Sequence, residues 1–144
     1  MFSTKTYLAL LIIMELSGKD RKSPLTSIKL AKQYNISKRY LEVIFGNLSK
    51  IGLISSRRGI GGGYSLACDL ERVSLYDLAV AAEGGIKLFA AGEFLPEKGE
   101  RAVTLRAVNR FWNNLEDELF ERMKSYKLSD LVEDLADREE MYYI

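Results

Sequence analysis

The chain contains no histidine and a single cysteine, Cys68. Those two shortages remove whole classes of chemistry. No disulfide can close within the chain, and no tetrahedral zinc site of the Cys/His kind can be assembled. Neither a Ser–His nor a Cys–His nucleophile pair can be built, and a histidine pH switch is likewise ruled out. Long apolar runs are missing too: the longest near the N-terminus, Tyr7 to Met14, falls well short of the roughly 20 residues that cross a bilayer as a helix. Glu15-Leu16-Ser17-Gly18-Lys19 follows it where an export signal would place a small-residue cleavage site, so the expected location is the cytoplasm, with no membrane partner. No internal repeat or low-complexity tract occurs. What remains is ordinary in bulk: 144 residues, 47% apolar and 28% charged, fill one core and keep a surface soluble.

The charge is not ordinary in its placement. The net charge is only +1, yet residues 1–66 carry eleven Lys and Arg against three Asp and Glu, a net +8, and residues 67–144 carry ten against seventeen, a net −7. A basic half suits an anionic partner, and the acidic half must serve something else.

Along the chain, Ser3 or Thr4 caps a first helix reaching about Ser17, with Gly18 as its stop and a middle apolar nearly all round, which predicts burial. Pro24 breaks the chain. Ser27 opens a short helix with Leu30 and Ala31 inward and Lys29 and Lys32 outward, ending at Asn35, a residue that tolerates the left-handed conformation. Ser37 caps a third helix with Leu41, Ile44, Phe45, Leu48 and Ile51 at helical spacing, closed by Gly52, while Lys38, Arg39, Glu42, Ser49 and Lys50 lie on the opposite face. Two helices joined by Asn35-Ile36-Ser37 match the helix-turn-helix, whose second helix enters the DNA major groove. Leu53 to Ser56 and Tyr64 to Leu66 read as strands around the glycine-rich basic tip Arg57 to Gly63, a hairpin wing.

The second half reads as helical. Ser74 and Asp77 form a capping box ahead of Leu75, Leu78, Ala79 and Ala82, and Gly84-Gly85 end that helix. A loop follows to residue 101. A long helix then spans about Ala102 to Tyr126, with Leu105, Val108, Trp112, Leu115 and Leu119 as a heptad-like seam that Phe111, Phe120 and Met123 widen. Two heptads fall short of a coiled coil, but a broad aromatic stripe is what a pairing helix needs. A last acidic helix starts at Ser129 and carries Leu131, Val132 and Leu135. The expected fold class is mainly α with a small β-hairpin: a winged helix-turn-helix domain over 1–84, a loop over 85–101, and a dimerisation helix with a C-terminal helix over 102–144.

The candidate DNA-binding residues are Ser37, Lys38, Arg39, Tyr40, Glu42 and Lys50 of the third helix and Arg57, Arg58, Gly61, Gly62 and Tyr64 of the wing. Arg39 has the donors to read guanine and Glu42 the acceptors to read the cytosine amino group; Ser37, Lys38, Tyr40 and Lys50 suit phosphate. Arg58 on a hairpin tip fits a narrow minor groove, and the glycines permit close backbone approach. The glycine run is no phosphate loop, because no Gly-Lys-Ser/Thr ending exists, and no dinucleotide fingerprint, because Tyr64 stands where the last glycine would be. Cys68 reads first as a small buried hydrophobe; as the only thiol it is also the candidate redox sensor.

The runs Ile36-Ser37-Lys38-Arg39-Tyr40-Leu41-Glu42, Gly52-Leu53-Ile54 and Ser56-Arg57-Arg58-Gly59-Ile60-Gly61-Gly62-Gly63-Tyr64-Ser65-Leu66 resemble the IscR/NsrR/CymR family of winged-helix regulators (the Rrf-two family). Val73-Ser74-Leu75, Glu83-Gly84 and Leu128-Ser129-Asp130-Leu131 extend the resemblance over nearly the whole chain. It implies that Tyr40, Glu42 and Arg58 face DNA and that the long helix forms the dimer. Many members also hold an iron–sulfur cluster through three cysteines in the loop before that helix. Here residues 85–106 contain neither Cys nor His, so no cluster and no other cofactor is expected. Glu93, Glu97 and Glu100 are conceivable iron ligands but read as solvated.

The expected function is therefore a non-enzymatic, sequence-specific regulator, acting as a homodimer on a near-palindromic site in double-stranded DNA, with repression the commoner outcome and the effector unassigned. A winged-helix protein-interaction module, or a sensor holding metal or a cluster through carboxylates, are the competing readings.

Overall fold

The structure, a computed structural model, describes residues 2–18, 24–89 and 98–142. Among them the chain forms α1 (Thr4–Leu16), α2 (Ser27–Tyr34), α3 (Lys38–Lys50), β1 (Ile54–Arg57), β2 (Gly63–Leu66), a 3-10 turn (Leu70–Arg72), α4 (Leu75–Glu83), α5 (Glu100–Ser125) and α6 (Leu128–Tyr142). It is a mainly helical winged helix with one two-stranded antiparallel hairpin.

Because α1 is apolar on every side, it lies in the middle, packed by α3, α4 and β2, with Leu8, Ala9, Ile12, Ile13 and Leu16 buried. Leu30 of α2, the Leu41/Ile44/Phe45/Leu48 face of α3, Ile54 of β1 and Leu78 of α4 close the same core. Leu128 belongs to it as well, so the start of α6 packs back on elements more than forty residues earlier. Main-chain bonds fix that return: Leu75 N–H donates to the Tyr126 carbonyl and Leu128 N–H to that of Val73, each at 2.9 Å.

The local signals act largely as read. Ser3 caps α1, and Asn35 ends α2 in the left-handed region at φ 53°. The Ser74–Asp77 capping box forms in full, and Gly84 ends α4 at φ 77°. Helix α2 opens at Ser27 as expected, with the Thr26 hydroxyl before it as the cap, accepting from Lys29 N–H at 3.2 Å. Several expectations need correction. Ile51 is 52% exposed rather than inward: α3 ends at Lys50, and beyond the last turn the 3.6-residue spacing no longer aims a side chain at the core. Leu135 is also exposed. Pro24 is followed by a pairing segment, since Leu25 bridges Tyr64 in both directions (3.2 and 2.7 Å) and lends the hairpin a third edge. One residue gives no strand pattern, so the alternation that betrays longer strands was not available.

Candidate nucleic-acid interface

The turn between α2 and α3 is built from local bonds. Ile36 N–H donates to the Ala31 carbonyl at 3.0 Å, and the Ser37 hydroxyl accepts from Tyr40 N–H at 3.4 Å. This starts α3 in a fixed direction. With Leu41, Ile44, Phe45 and Leu48 buried, the opposite face is set by geometry, and the exposed stripe runs Arg39, Glu42, Val43, Gly46, Lys50. Ser37 and Lys38 are exposed at its N-terminal end, Tyr40 is half-buried against the core, and Lys38 Nζ lies 3.4 Å from Glu42 Oε1.

Two members of that stripe went unnoticed in the sequence. Val43 is 48% exposed, and a Cβ built on Gly46 meets nothing within 4 Å. Their spacing from Arg39 and Glu42 was the available signal.

The wing pairs Ile54 with Leu66 through Arg57 with Gly63, leaving residues 58–62 as the tip. Arg57 and Arg58 are exposed, and Ile60, also unnoticed, is fully exposed. The tip closes through Gly62 N–H to the Gly59 carbonyl at 3.0 Å, with Gly61 at φ 75°. At Gly62 a Cβ would sit 2.3 Å from the Arg57 carbonyl oxygen, so the hairpin's own backbone requires glycine there whatever the partner. Tyr64 lies at the base of the wing rather than on its tip: its ring stacks on Phe45 with centroids 4.2 Å apart, tying β2 to α3. Lys50 stands apart as well. Twelve residues beyond Lys38, it is about 18 Å away along the helix axis. There it lines an open groove of about 500 Å³ with Lys5, Ile51, Tyr76 and Val80.

Behind this face the domain is held by Glu83, whose carboxylate accepts from the backbone N–H and the hydroxyl of both Ser3 and Thr6 at 2.8–3.2 Å. Partial burial pushes its pKa up, but these bonds outweigh it and hold the carboxyl below its ordinary value. Cys68 is half-buried against the core; burial, then the neighbouring Asp69, pushes its thiol up, which disfavours the reactive thiolate.

The seam expected on α5 divides in two. Phe120 packs against Tyr76 of α4 (centroids 5.3 Å) and Met123 is buried, so these two face the chain's own body. Val108, Phe111, Trp112 and Leu115 remain 37–60% exposed, with Leu105 and Leu119 half-buried. Trp112 is edge-on to both Phe89 and Phe111. Residues 90–97, with Glu93 and Glu97, lie outside the described residues; Glu100 begins α5, exposed.

A family model described as Rrf2, "Iron-dependent Transcriptional regulator", matches residues 2–134. The chain belongs to the Rrf2 family. Among curated Rrf2-type relatives, the HTH-type transcriptional regulator IscR of Cereibacter sphaeroides is 30% identical over 134 residues, covering 90% of this chain and 85% of the relative. IscR of Xenorhabdus nematophila is 27% identical over 144 residues, covering 96% and 85%. Among solved structures, CymR of B. subtilis, described as the global cysteine regulator, is similar at TM-score 0.71 and 29% identity, covering 92% of this chain and 96% of that one. Oxidized CymR of Staphylococcus aureus gives 0.70 and 27%, with the same coverage. The Rrf2 chain is thus a winged-helix, DNA-binding transcriptional regulator, and no helix among its described residues is long and apolar enough to cross a membrane.

The family description names iron, for which this member offers few of the usual donors. Its one cysteine packs beside the wing, histidine is absent from the sequence, and no group of three or more Cys, Asp or Glu able to hold a metal gathers among the described residues. That set does not fit a thiolate-held cluster.

Proposed function

We propose that this regulator binds a near-palindromic operator as a homodimer, represses by occluding polymerase, and carries no cluster ligated by its own side chains. The observation that carries the reading is the exposed α3 stripe of Arg39, Glu42, Val43 and Gly46, followed by a basic wing with Arg57 and Arg58 exposed, while Leu41, Ile44, Phe45 and Leu48 bury the opposite face of α3. Arg39 has donors for guanine, Glu42 an acceptor for the cytosine amino group, and Val43 a methyl surface for thymine. Arg57 and Arg58 supply the charge that a narrow minor groove attracts. The exposed Val108/Phe111/Trp112/Leu115 patch supports the homodimer, since apolar area of that kind on one helix calls for a cover. A two-fold pair would place half-sites about 34 Å apart.

Selection of binding sites from random DNA, followed by titration at several salt concentrations, tests this. A two-fold-related sequence should emerge, bound with an affinity that falls steeply with salt. Arg58→Ala should lose about tenfold and the preference at the flanking A·T positions. Anaerobically purified protein should show no visible absorption band. An enriched pool without sequence preference would sink the operator, and a visible band would sink the cluster-free reading.

A further inference from the structure

The ion pair between Lys38 and Glu42 is poorly placed to serve the helix that contains it. Lys38 is the first residue of α3, where the exposed N–H groups carry partial positive charge and favour an acidic side chain, yet the first turn of α3 has none. The order, Lys followed by Glu four residues on, is the weaker of the two possible orders for such a pair. Both side chains are about half exposed, so no burial of either one demands a counter-charge.

The pair does answer a problem set by the surface it occupies. A carboxylate carried into a groove lined by phosphates is repelled by them, and Glu42 is the only acidic residue on α3. Held against an ammonium it is neutral as a pair and keeps lone pairs free to accept from a base. The i,i+4 contact also limits the positions its carboxylate can take.

We propose that Lys38 is a positioning residue for Glu42, neutralising and orienting that carboxylate at the base edge, rather than a phosphate anchor. This rests on the reading of α3 as the recognition helix. A phosphate anchor acts independently of Glu42, whereas a positioning residue acts only through it, and the two separate in a double-mutant cycle.

Operator binding is measured as a function of salt for the unsubstituted protein and for Lys38→Met, Glu42→Gln and the double variant, on the selected operator and on variants of each base pair in its half-site. Lys38→Met retains the stem and removes the charge; Lys38→Arg serves as the conservative rescue. With Glu42 present, Lys38→Met should weaken binding about tenfold and alter discrimination at the base pair that Glu42→Gln also affects. In the Glu42→Gln background, adding Lys38→Met should change affinity less than twofold and leave the salt slope where it was. Lys38→Arg should restore both affinity and discrimination. An equal loss in both backgrounds, with the salt slope falling by about one in each, overturns the assignment and makes Lys38 a phosphate contact. A wild-type protein without sequence preference removes the recognition reading itself, and the role of Lys38 with it.

Discussion

Glu83 carries more of the fold than a half-exposed carboxylate usually does. It closes the N-terminus of α1 from the last turn of α4, using acceptors to satisfy backbone N–H groups that the helix itself leaves unpaired. Glu83→Gln keeps one acceptor oxygen and loses the charge, and is expected to cost about 1 kcal/mol at neutral pH. Because the folded-state pKa is lowered, the stabilisation is complete above the ordinary carboxylate range and disappears as pH falls through the folded value. Urea midpoints for the two proteins should therefore differ at pH 7 and converge toward pH 3. A gap that persists in acid would mean that shape, and not charge, supplies the effect.

At the level of elements, α3 and the wing show which residues belong to the fold and which are left for a partner. Tyr64 and Gly62 are occupied in holding the hairpin: one stacks on Phe45, the other leaves room for the Arg57 carbonyl. Gly46 is the reverse case. It lies mid-helix with open space over its Cα, where alanine would fit. Gly46→Ala should stabilise the protein by about 0.5–1 kcal/mol through helix propensity alone. If the stripe meets DNA closely, the same methyl should weaken operator binding by about tenfold. Thermal melting and titration on one variant would check both. A gain in stability with unchanged binding would place the contact surface elsewhere.

For the whole molecule, the question is what covers α5. That helix has 26 residues, about 39 Å, whereas its in-chain neighbour α4 has nine, about 14 Å, and can shield only part of it. Phe120 and Met123 take the shielded part, and Val108, Phe111 and Leu115 do not. If the proposed homodimer pairs through this patch, Phe111→Glu is expected to weaken self-association by about 2 kcal/mol, near thirtyfold, with helix content retained. Sedimentation at graded concentrations would read the shift toward monomer; an unmoved equilibrium would locate the interface on another face. Trp112 is a poorer probe, because it also packs on Phe89 of its own chain.

Sequence alone determined the elements and their order, because caps, left-handed Asn and Gly, and the 3.6-residue spacing act within a few residues of one another. The Ser74–Asp77 box, the Asn35 turn and the buried face of α3 are of this kind. It also fixed the donor set, one thiol and no imidazole, since donor atoms absent from the chain cannot be supplied by folding it. Tertiary structure alone decided which side of α5 is already used, what lowers the pKa of Glu83, and that Leu25 completes the hairpin. Each of those depends on contacts between residues distant in the chain, and no local period encodes where a helix will find its neighbour.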